Sequence, residues 1–589
     1  MTATAATVFG HVRARRDAEA GMPASTVAWA GVVTLALLAP FELLEPVVRL
    51  PWQSITNAEL ALVVAGAAWL AAILWRGETA WLRVPLVAPW VVLILAMALS
   101  AACAPESRVN ALHMVGRLGM AFGVYLMTTS GVTTPARAQG LMVAACVSGV
   151  VVAALAMLEY LGVGVVIGTL RAFRPGLAVV GGQIRASGPL QYPTIASMYL
   201  EIVFAFLLGL LAAACARRQW SAAAVCFVAA VGISEAILLT FTRAGLISLA
   251  AVLLFVGEMQ RRRRGGRDAS VWAVVALAAI VGVLAASSHS FEAMRLRLTT
   301  ETEAAWFRAR IHAPDRVALR TGGFSTIPVT LTNTGRAIWD SGGDPPFRLS
   351  YHWLLADDDR VVSYDGLRTT FAEPVPPGET VSLQARVRAP TRPGEYRLMW
   401  DLVEEDRLWF STEPEARVSF SRAVVSGPSA GPLGPLYLTD LPRSAIRPGR
   451  LVLWAAAARM IAAHPLLGVG PDNYRLSYGR SAGIPNADRR VHSNDLYFEM
   501  LVGGGAIGGL AFAWLVWSAV RCFGRAVRAD AAGESGMPGI AAAGLAVLLH
   551  GTVDTFLGFT PTYILIALTV GLGAACSLAA ERGPDANRV

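Results

Sequence analysis

The stretch IASMYLEIVFAFLLGLLAAAC, Ile195–Cys215, is apolar almost from end to end. As a helix rising 1.5 Å per residue it is long enough to cross about 30 Å of hydrocarbon. Working outward from it, similar runs of about 17–25 residues recur at Thr26–Leu44, Ala58–Trp75, Leu86–Cys103, Ala111–Thr129, Leu141–Leu161, Trp220–Leu239, Ala244–Val256, Val271–Ser287, Leu496–Val520, Ile540–Phe556 and Tyr563–Leu578. The eighth, Ala244–Val256, is short for a span. The chain of 589 residues is 55% hydrophobic and 15% charged, too apolar for an ordinary soluble enzyme, whose charged share is nearer a quarter. The fold class these runs predict is an all-α polytopic membrane protein of about twelve transmembrane helices. Arg13, Arg15 and Arg16 precede a full-length first span without a small-residue cleavage site, so that span is expected to be retained rather than removed as a signal peptide.

Basic residues in short loops stay on the cytoplasmic side. With twelve spans and an inside N-terminus, Arg13–Arg16, Arg76 with Arg83, Arg137, Arg217–Arg218, Arg261–Arg264 with Arg267, and Arg521, Arg525 and Arg528 all fall inside. Residues 171–194, the Thr240–Arg243 turn and the long 288–495 segment then face outward. The net charge of +9 is largely accounted for by these topology clusters beside anionic lipid, so a nucleic-acid partner is not expected. All fifty basic residues are arginine, which makes any single arginine weaker evidence of a site. The six cysteines lie in spans or at their ends, giving neither a disulfide framework nor a metal-binding spacing.

From about Ala313 to Phe420 the pattern changes to period two, as in Val381-Ser-Leu-Gln-Ala-Arg-Val387 and Tyr396-Arg-Leu-Met-Trp400, with turn chemistry at Asn333-Thr-Gly335, Gly342-Gly-Asp-Pro345, Pro376-Pro-Gly378 and Arg392-Pro-Gly394. Short half-buried strands at that spacing predict an all-β sandwich inserted on the extracytoplasmic side. VTLTNTGRAIW and VPPGETVSLQARVRAPTRPGEYRLMWDL resemble the immunoglobulin-like modules of bacterial surface proteins, a resemblance that implies no activity. Trp339, Trp353, Trp400 and Trp409 are expected to fill the sandwich core, the alternative being that one or two form sugar-stacking platforms. The organisation expected is an N-terminal membrane domain over 1–290, the sandwich over 313–420, a linker and interfacial helix over 421–491, and a C-terminal membrane domain over 492–589. Excision of about Arg316–Phe420 is expected to leave the membrane fold intact.

No carboxylates are grouped with metal-like spacing at the outer ends of the spans, so arginines are the candidates for holding anionic substrate groups. Arg185, ahead of the sixth span, and Arg243, in the turn TFTRAG between two spans, stand at outer span ends. A charge wedged between two apolar spans is costly unless it is paired or lines a cavity. His492 precedes a helix that Ser493, Asn494 or Asp495 can cap, where an imidazole is placed to take a proton from a hydroxyl. His550 and Asp554 stand four apart, hence on one face of the eleventh span.

Arg185-x-x-Gly188, TFTRAG, GRLVLWAAAARMIAAHPLLGVGPDNYR and HSNDLYFEMLVGGGAIGG, in that order within twelve spans, resemble the O-antigen ligase and polymerase superfamily of membrane glycosyltransferases. The resemblance covers the membrane portion. It implies transfer of a glycan from undecaprenyl diphosphate to a hydroxyl of lipid A-core or another glycan acceptor, at the outer face of the bacterial inner membrane, with inversion and with no metal or other cofactor. It implies that Arg185 and Arg243 grip the diphosphate, that His492 acts as base or orienting group, and that Arg450 and Arg475 support an outer lid; Asp554 is expected to support an arginine. Family ligases carry His-Asn or His-Ser, then nine intervening residues, then Gly-x-x-Gly. Counted back from Gly505-x-x-Gly508, that position is Asn494, and His492 lies two residues upstream. Ligase, repeat-unit polymerase and protein oligosaccharyltransferase all remain open, and a lipid-linked glycan transporter or a surface-binding scaffold are the competing classes.

Overall fold

The computed structural model of the protein describes residues 23–49, 54–77, 84–174, 176–180, 183–266, 268–287, 306–342, 346–357, 360–405, 408–412, 417–431, 450–482, 489–530 and 535–582. The expectations for Arg13–Arg16, Arg83, Arg267, both chain ends, most of the linker after the sandwich and part of the Gly342–Pro345 turn lie outside the described residues.

The helices are α1 (Ala24–Leu38), α2 (Asn57–Arg76), α3 (Val87–Ala102), α4 (Arg108–Gly131), α5 (Pro135–Tyr160), the short α6 (Gly164–Leu170), α7 (Pro193–Ala216), α8 (Trp220–Leu239), α9 (Arg243–Arg264), α10 (Ala269–Ser287), α11 (Arg450–Ala463), α12 (Tyr474–Ala482), α13 (Leu496–Ala529), α14 (Met537–His550) and α15 (Thr560–Arg582). Among the described residues nine helices are long and apolar enough to cross a membrane, against about twelve expected; α3 and α14 are shorter apolar helices, and α4, long enough but carrying Arg108, His113 and Arg117, is less apolar than the nine. The protein is a multi-pass membrane protein. Starts are set locally: Thr56 and Glu59 form a reciprocal capping box on α2, and proline occupies the first turn of α5 and α7, where its missing N–H costs nothing.

The eighth span corrects the sequence expectation. It runs as α9 from Arg243 to Arg264, because Glu258 pairs with Arg261 and Arg262 one turn on and carries the helix through its basic end. The bundle is centred on α7, nearly all of which is buried, packed by α5, α8, α9 and α14. The loops after α1, α3, α5, α8 and α14 meet α11 and α12 at one end of the bundle: Leu44 N donates to Ala172 O at 2.9 Å, and Asn110 Nδ2 to Asp472 Oδ2 at 3.1 Å. At the other end Arg137 bonds Thr26, Arg217 bonds Gln139, and Arg263 faces Asp530.

The β region comprises two-stranded ribbons β1 (Val48–Arg49) with β2 (Ser54–Ile55) and β3 (Ala178–Val180) with β4 (Gln183–Arg185), then the inserted domain: β5 (Ala309–His312), β6 (Arg316–Arg320), β7 (Phe324–Asn333), β8 (Phe347–Leu355), β9 (Val361–Ser363), β10 (Thr380–Arg388), β11 (Gly394–Glu404), β12 (Leu408–Trp409) and β13 (Ser419–Ser426). A sheet ordered β10-β7-β5 faces one ordered β6-β13-β11-β8-β9, with β12 paired to β11. The period-two reading holds, and the domain extends a few residues beyond 313–420 at each end because β5 and β13 complete the two sheets. Trp339, Trp353 and Trp400 are fully buried in its core. Trp409 is only half-buried, with its ring against His352 and Tyr364 and the Arg368 guanidinium over it at 4.9 Å.

Candidate active site

Arg185 ends β4, and the residues after it are fixed by backbone bonds. Ala186 N donates to Leu239 O at 3.0 Å, while Ser187 N and Gly188 N donate to Glu159 Oε2 at 3.0 and 2.8 Å. Arg185 Nε itself donates to Thr240 O at 3.0 Å, so the guanidinium lies against the turn between α8 and α9. That turn is held by Phe241, fully buried at φ 50° and edge-on to Tyr160. Arg243 then opens α9, half-buried, two residues further along.

The glycine of the TFTRAG segment has a steric reason. A Cβ on Gly245 would stand 2.4 Å from Ser197 Oγ and 3.5 Å from Glu201 Oε1, so the first turn of α9 rests directly on α7 at Glu201. Glu201 accepts from Ser197 Oγ at 2.7 Å and lies 2.9 and 3.1 Å from His550 Nδ1, both side chains being 1% exposed. A buried carboxylate is tolerable in a membrane bundle only when paired in this way.

Asp554 is not on the same helix as His550. The α14 helix stops at His550, and Asp554 lies beyond Gly551 in the following turn, tied back by its N–H to His550 O at 3.1 Å. The turn exposes backbone carbonyls, and Arg450 Nη2 from the start of α11 donates to Val553 O at 3.1 Å. Loss of solvent around the Arg450 guanidinium, followed by the like charge of Arg243, pushes its pKa down, and Asp554 opposes the shift. Arg450 is thus influenced by both Arg243 and Asp554 at this end of the bundle, where the Glu201–His550 pair also lies.

One turn along α11, Trp454 Nε1 donates to Ser493 O at 3.1 Å, and Leu496 N donates to Gly551 O at 2.7 Å. These bonds join the His492 segment to the Asp554 turn. His492 Nδ1 lies 3.2 Å from Glu499 Oε1, which also accepts from Ser493 N at 2.9 Å. Burial by itself lowers the His492 pKa, but the Glu499 charge and its hydrogen bond, with Asp472 behind them, outweigh it, and the pKa ends above its ordinary value despite Arg475. With Nδ1–H donating to Glu499, Nε2 is left as the nitrogen that can accept a proton.

Asn494, the position at the family spacing, has φ 53° in the left-handed region, where asparagine is among the side chains that settle most readily. It forms the corner before Asp495, whose carboxylate caps α13 through Phe498 N at 2.9 Å. Arg475 is committed elsewhere: it binds Asp472 Oδ2 through Nε and Nη2 at 3.0 and 2.9 Å, Asn110 Oδ1 at 2.6 Å and Arg489 O at 3.2 Å, clasping α12 to the start of α4.

The glycine-rich run after His492 breaks α13. Gly505 takes φ 58° and ψ −159°, and the interruption frees backbone groups that HPLLGVG satisfies. Val469 N and Gly470 N donate to Val502 O and Gly503 O at 2.9 and 3.0 Å, while Ala506 N and Ile507 N donate to Pro465 O and Leu466 O at 2.8 and 3.2 Å. Such breaks are stable only where other protein groups replace the lost ladder bonds. A Cβ on Gly468 would meet Val502 O at 2.3 Å, so the two glycine runs are one interlocked piece. The tenth span, read from sequence as continuous from Leu496, thus begins with a separate short helical piece, ahead of Gly505, that carries Glu499.

Sequence reasoning missed Glu201, Glu499, Glu159 and Arg174. Glu201 was visible as a charge inside a long apolar span, and Glu499 as an acid seven residues after His492 in the first helical turns; nothing in the sequence pairs Glu159 with Arg174.

Nine span-length apolar helices and further shorter ones among the described residues, with arginines, carboxylates and histidines gathered at one end, define a multi-pass membrane protein with a charged cluster at one end of its bundle. Residues 440–513, which hold α11, α12, the HPLLGVG loop, His492 and the broken start of α13, match the family model described as O-antigen ligase (Wzy_C). That match points to a membrane glycosyltransferase of the ligase and polymerase superfamily. No curated protein matches the chain.

Proposed function

We propose that this protein transfers a glycan from undecaprenyl diphosphate to an acceptor hydroxyl, as an O-antigen ligase does, on the outer face of the bacterial inner membrane. The observation that carries the reading is the convergence of Arg185, Arg243 and Arg450 with Asp554 beside the family-matched segment that presents His492. Orientation follows from charge: Arg137, Arg217, Arg218 and Arg261–Arg264 lie at the end opposite this cluster, so that end is cytoplasmic, with both termini, and the sandwich is periplasmic.

The chemistry needs a proton acceptor and a stabiliser for the departing diphosphate. Guanidinium groups from Arg185 and Arg243 bind phosphate oxygens with paired parallel bonds, and Arg450 adds a third charge, kept in place by Val553 O. His492 Nε2 takes the acceptor hydroxyl proton as the oxygen attacks the anomeric carbon from the face opposite the diphosphate. The anomeric C–O bond to the diphosphate breaks, its electrons leave on undecaprenyl diphosphate, and the configuration inverts. Glu499 holds the imidazole and stabilises its protonated form. Polymerase and protein oligosaccharyltransferase chemistry would use the same residues with a different acceptor hydroxyl.

The test is transfer by purified protein from an undecaprenyl-diphosphate-linked glycan to lipid A-core, to a second carrier-linked repeat, or to a protein, each in excess chelator. Product from one acceptor with free undecaprenyl diphosphate released supports the reading. Vectorial movement of the intact donor across a proteoliposome without bond cleavage would replace it with transport, and turnover only on added magnesium or manganese would refute the arginine-based mechanism.

A further inference from the structure

The geometry assigns Glu159 and its partner Arg174 a positioning role: they fix the loop that aims Arg185. This rests on the reading of Arg185 as a diphosphate ligand. Glu159 is at the last turn of α5 and fully buried, and Arg174 lies in the loop before β3 with a side chain 3% exposed. One carboxylate oxygen forms the ion pair with Arg174 Nη2, and the other accepts the N–H groups of Ser187 and Gly188, two and three residues after Arg185. Arg174 Nη1 reaches Gly176 O at 3.1 Å and Ser187 Oγ at 3.4 Å, so it bridges the start of the same hairpin to its end.

The arrangement suits an anion site better than either charge alone. An unpaired carboxylate behind Arg185 would repel phosphate, and an unpaired arginine would compete for it. Paired, they cancel, and what remains is a rigid acceptor for two backbone N–H groups. Gly188 completes the device at φ 56°, where a Cβ would lie 3.0 Å from Val152 O, pressing the loop onto α5. On the other side Ala186 N is held by Leu239 O. The residues immediately following Arg185 are thus bonded from two directions, by the end of α5 and the end of α8. Buried ion pairs seldom add net stability over apolar packing, which favours a geometric rather than a stabilising reason for this one.

A double-mutant cycle on binding of undecaprenyl diphosphate alone, in nanodiscs with matched folded protein, tests this. Arg185→Ala is expected to weaken binding about tenfold or more, the scale of a lost charge-assisted contact. Glu159→Gln is expected to weaken it about as much, on the same grounds, and to change it less than about twofold when Arg185 is already alanine. Because Glu159→Gln strands the Arg174 charge, Glu159→Gln with Arg174→Gln is run beside it. Normal binding in the Glu159 variants, or an effect that adds in full to that of Arg185→Ala, would overturn the assignment. Loss of the folded protein in both variants would do so too, since the pair would then hold the bundle rather than the loop. Arg185→Ala binding normally would instead refute the diphosphate reading itself.

Discussion

Replacing Glu499 by glutamine changes one atom of the group that faces His492 and removes its charge. The carboxylate stands 3.2 Å from His492 Nδ1, and the histidine side chain is 22% exposed. An opposite charge at that range favours the charged imidazole by about 1–3 pKa units, and here burial opposes it. The sign follows directly. In the wild type the His492 pKa lies above its ordinary value, so the base form, and with it kcat/KM, emerges only as pH rises through that elevated pKa. In Glu499→Gln burial remains and its compensation is gone, so the acid limb should move down by about 1–2 units. The plateau should also fall, by about tenfold to a hundredfold, because an imidazolium formed in the transition state loses its counter-charge. The amide oxygen of the substituted side chain can still accept from Ser493 N, so the loop itself should stay in place. The assay is kcat/KM for glycan transfer between about pH 5 and 9, the range in which a perturbed histidine titrates. An active variant whose acid limb has not moved would refute the coupling of Glu499 to the proton acceptor.

Arg243→Ala should be more damaging than Arg185→Ala, because Arg243 sits in the tight turn between two spans and its charge bears on Arg450, and Arg243→Lys should also fail, a point ammonium being unable to replace two parallel bonds to phosphate oxygens; donor turnover of the three variants checks this, and near-normal activity in Arg243→Lys would count against it. Excising the sandwich should leave an inserted, folded and active membrane protein, provided the cut runs from about 306 to 431 so that β5 and β13 leave with their sheets; a folded but inactive truncation would make the module part of the site.

The bundle was legible because an apolar run long enough to cross lipid is a one-dimensional signal, and the sandwich because period two survives without knowledge of the pairing. The eighth span was cut short because the apolar run ends at Val256, whereas Glu258 pairs with Arg261 and Arg262 and lets the helix continue. Arg185, Arg243 and His492 could be nominated from position, since charges at span ends are costly enough to need reasons, whereas Arg450 came only from the family resemblance. Their neighbours could not: Glu201 meets His550, and Glu159 meets Arg174, only through tertiary packing. The break at Gly505 was hidden for a related reason. Three successive glycines suit close helix packing as well as a kink, and what decides between them is the set of carbonyls and N–H groups delivered by Pro465–Gly470.

The two-residue offset from the family spacing now has a structural frame, with His492 anchored by Glu499 and Asn494 forming a left-handed corner. Placing a histidine at Asn494 should not raise activity, because the Glu499 carboxylate that would hold the imidazole is already bonded to His492. The most direct measurement is turnover of purified His492→Ala and Asn494→Ala at matched folded concentration. A loss of about a hundredfold or more in His492→Ala, the usual scale for a positioned acid or base, with a much smaller loss in Asn494→Ala, is expected, whereas a silent His492→Ala would contradict His492 as the proton acceptor.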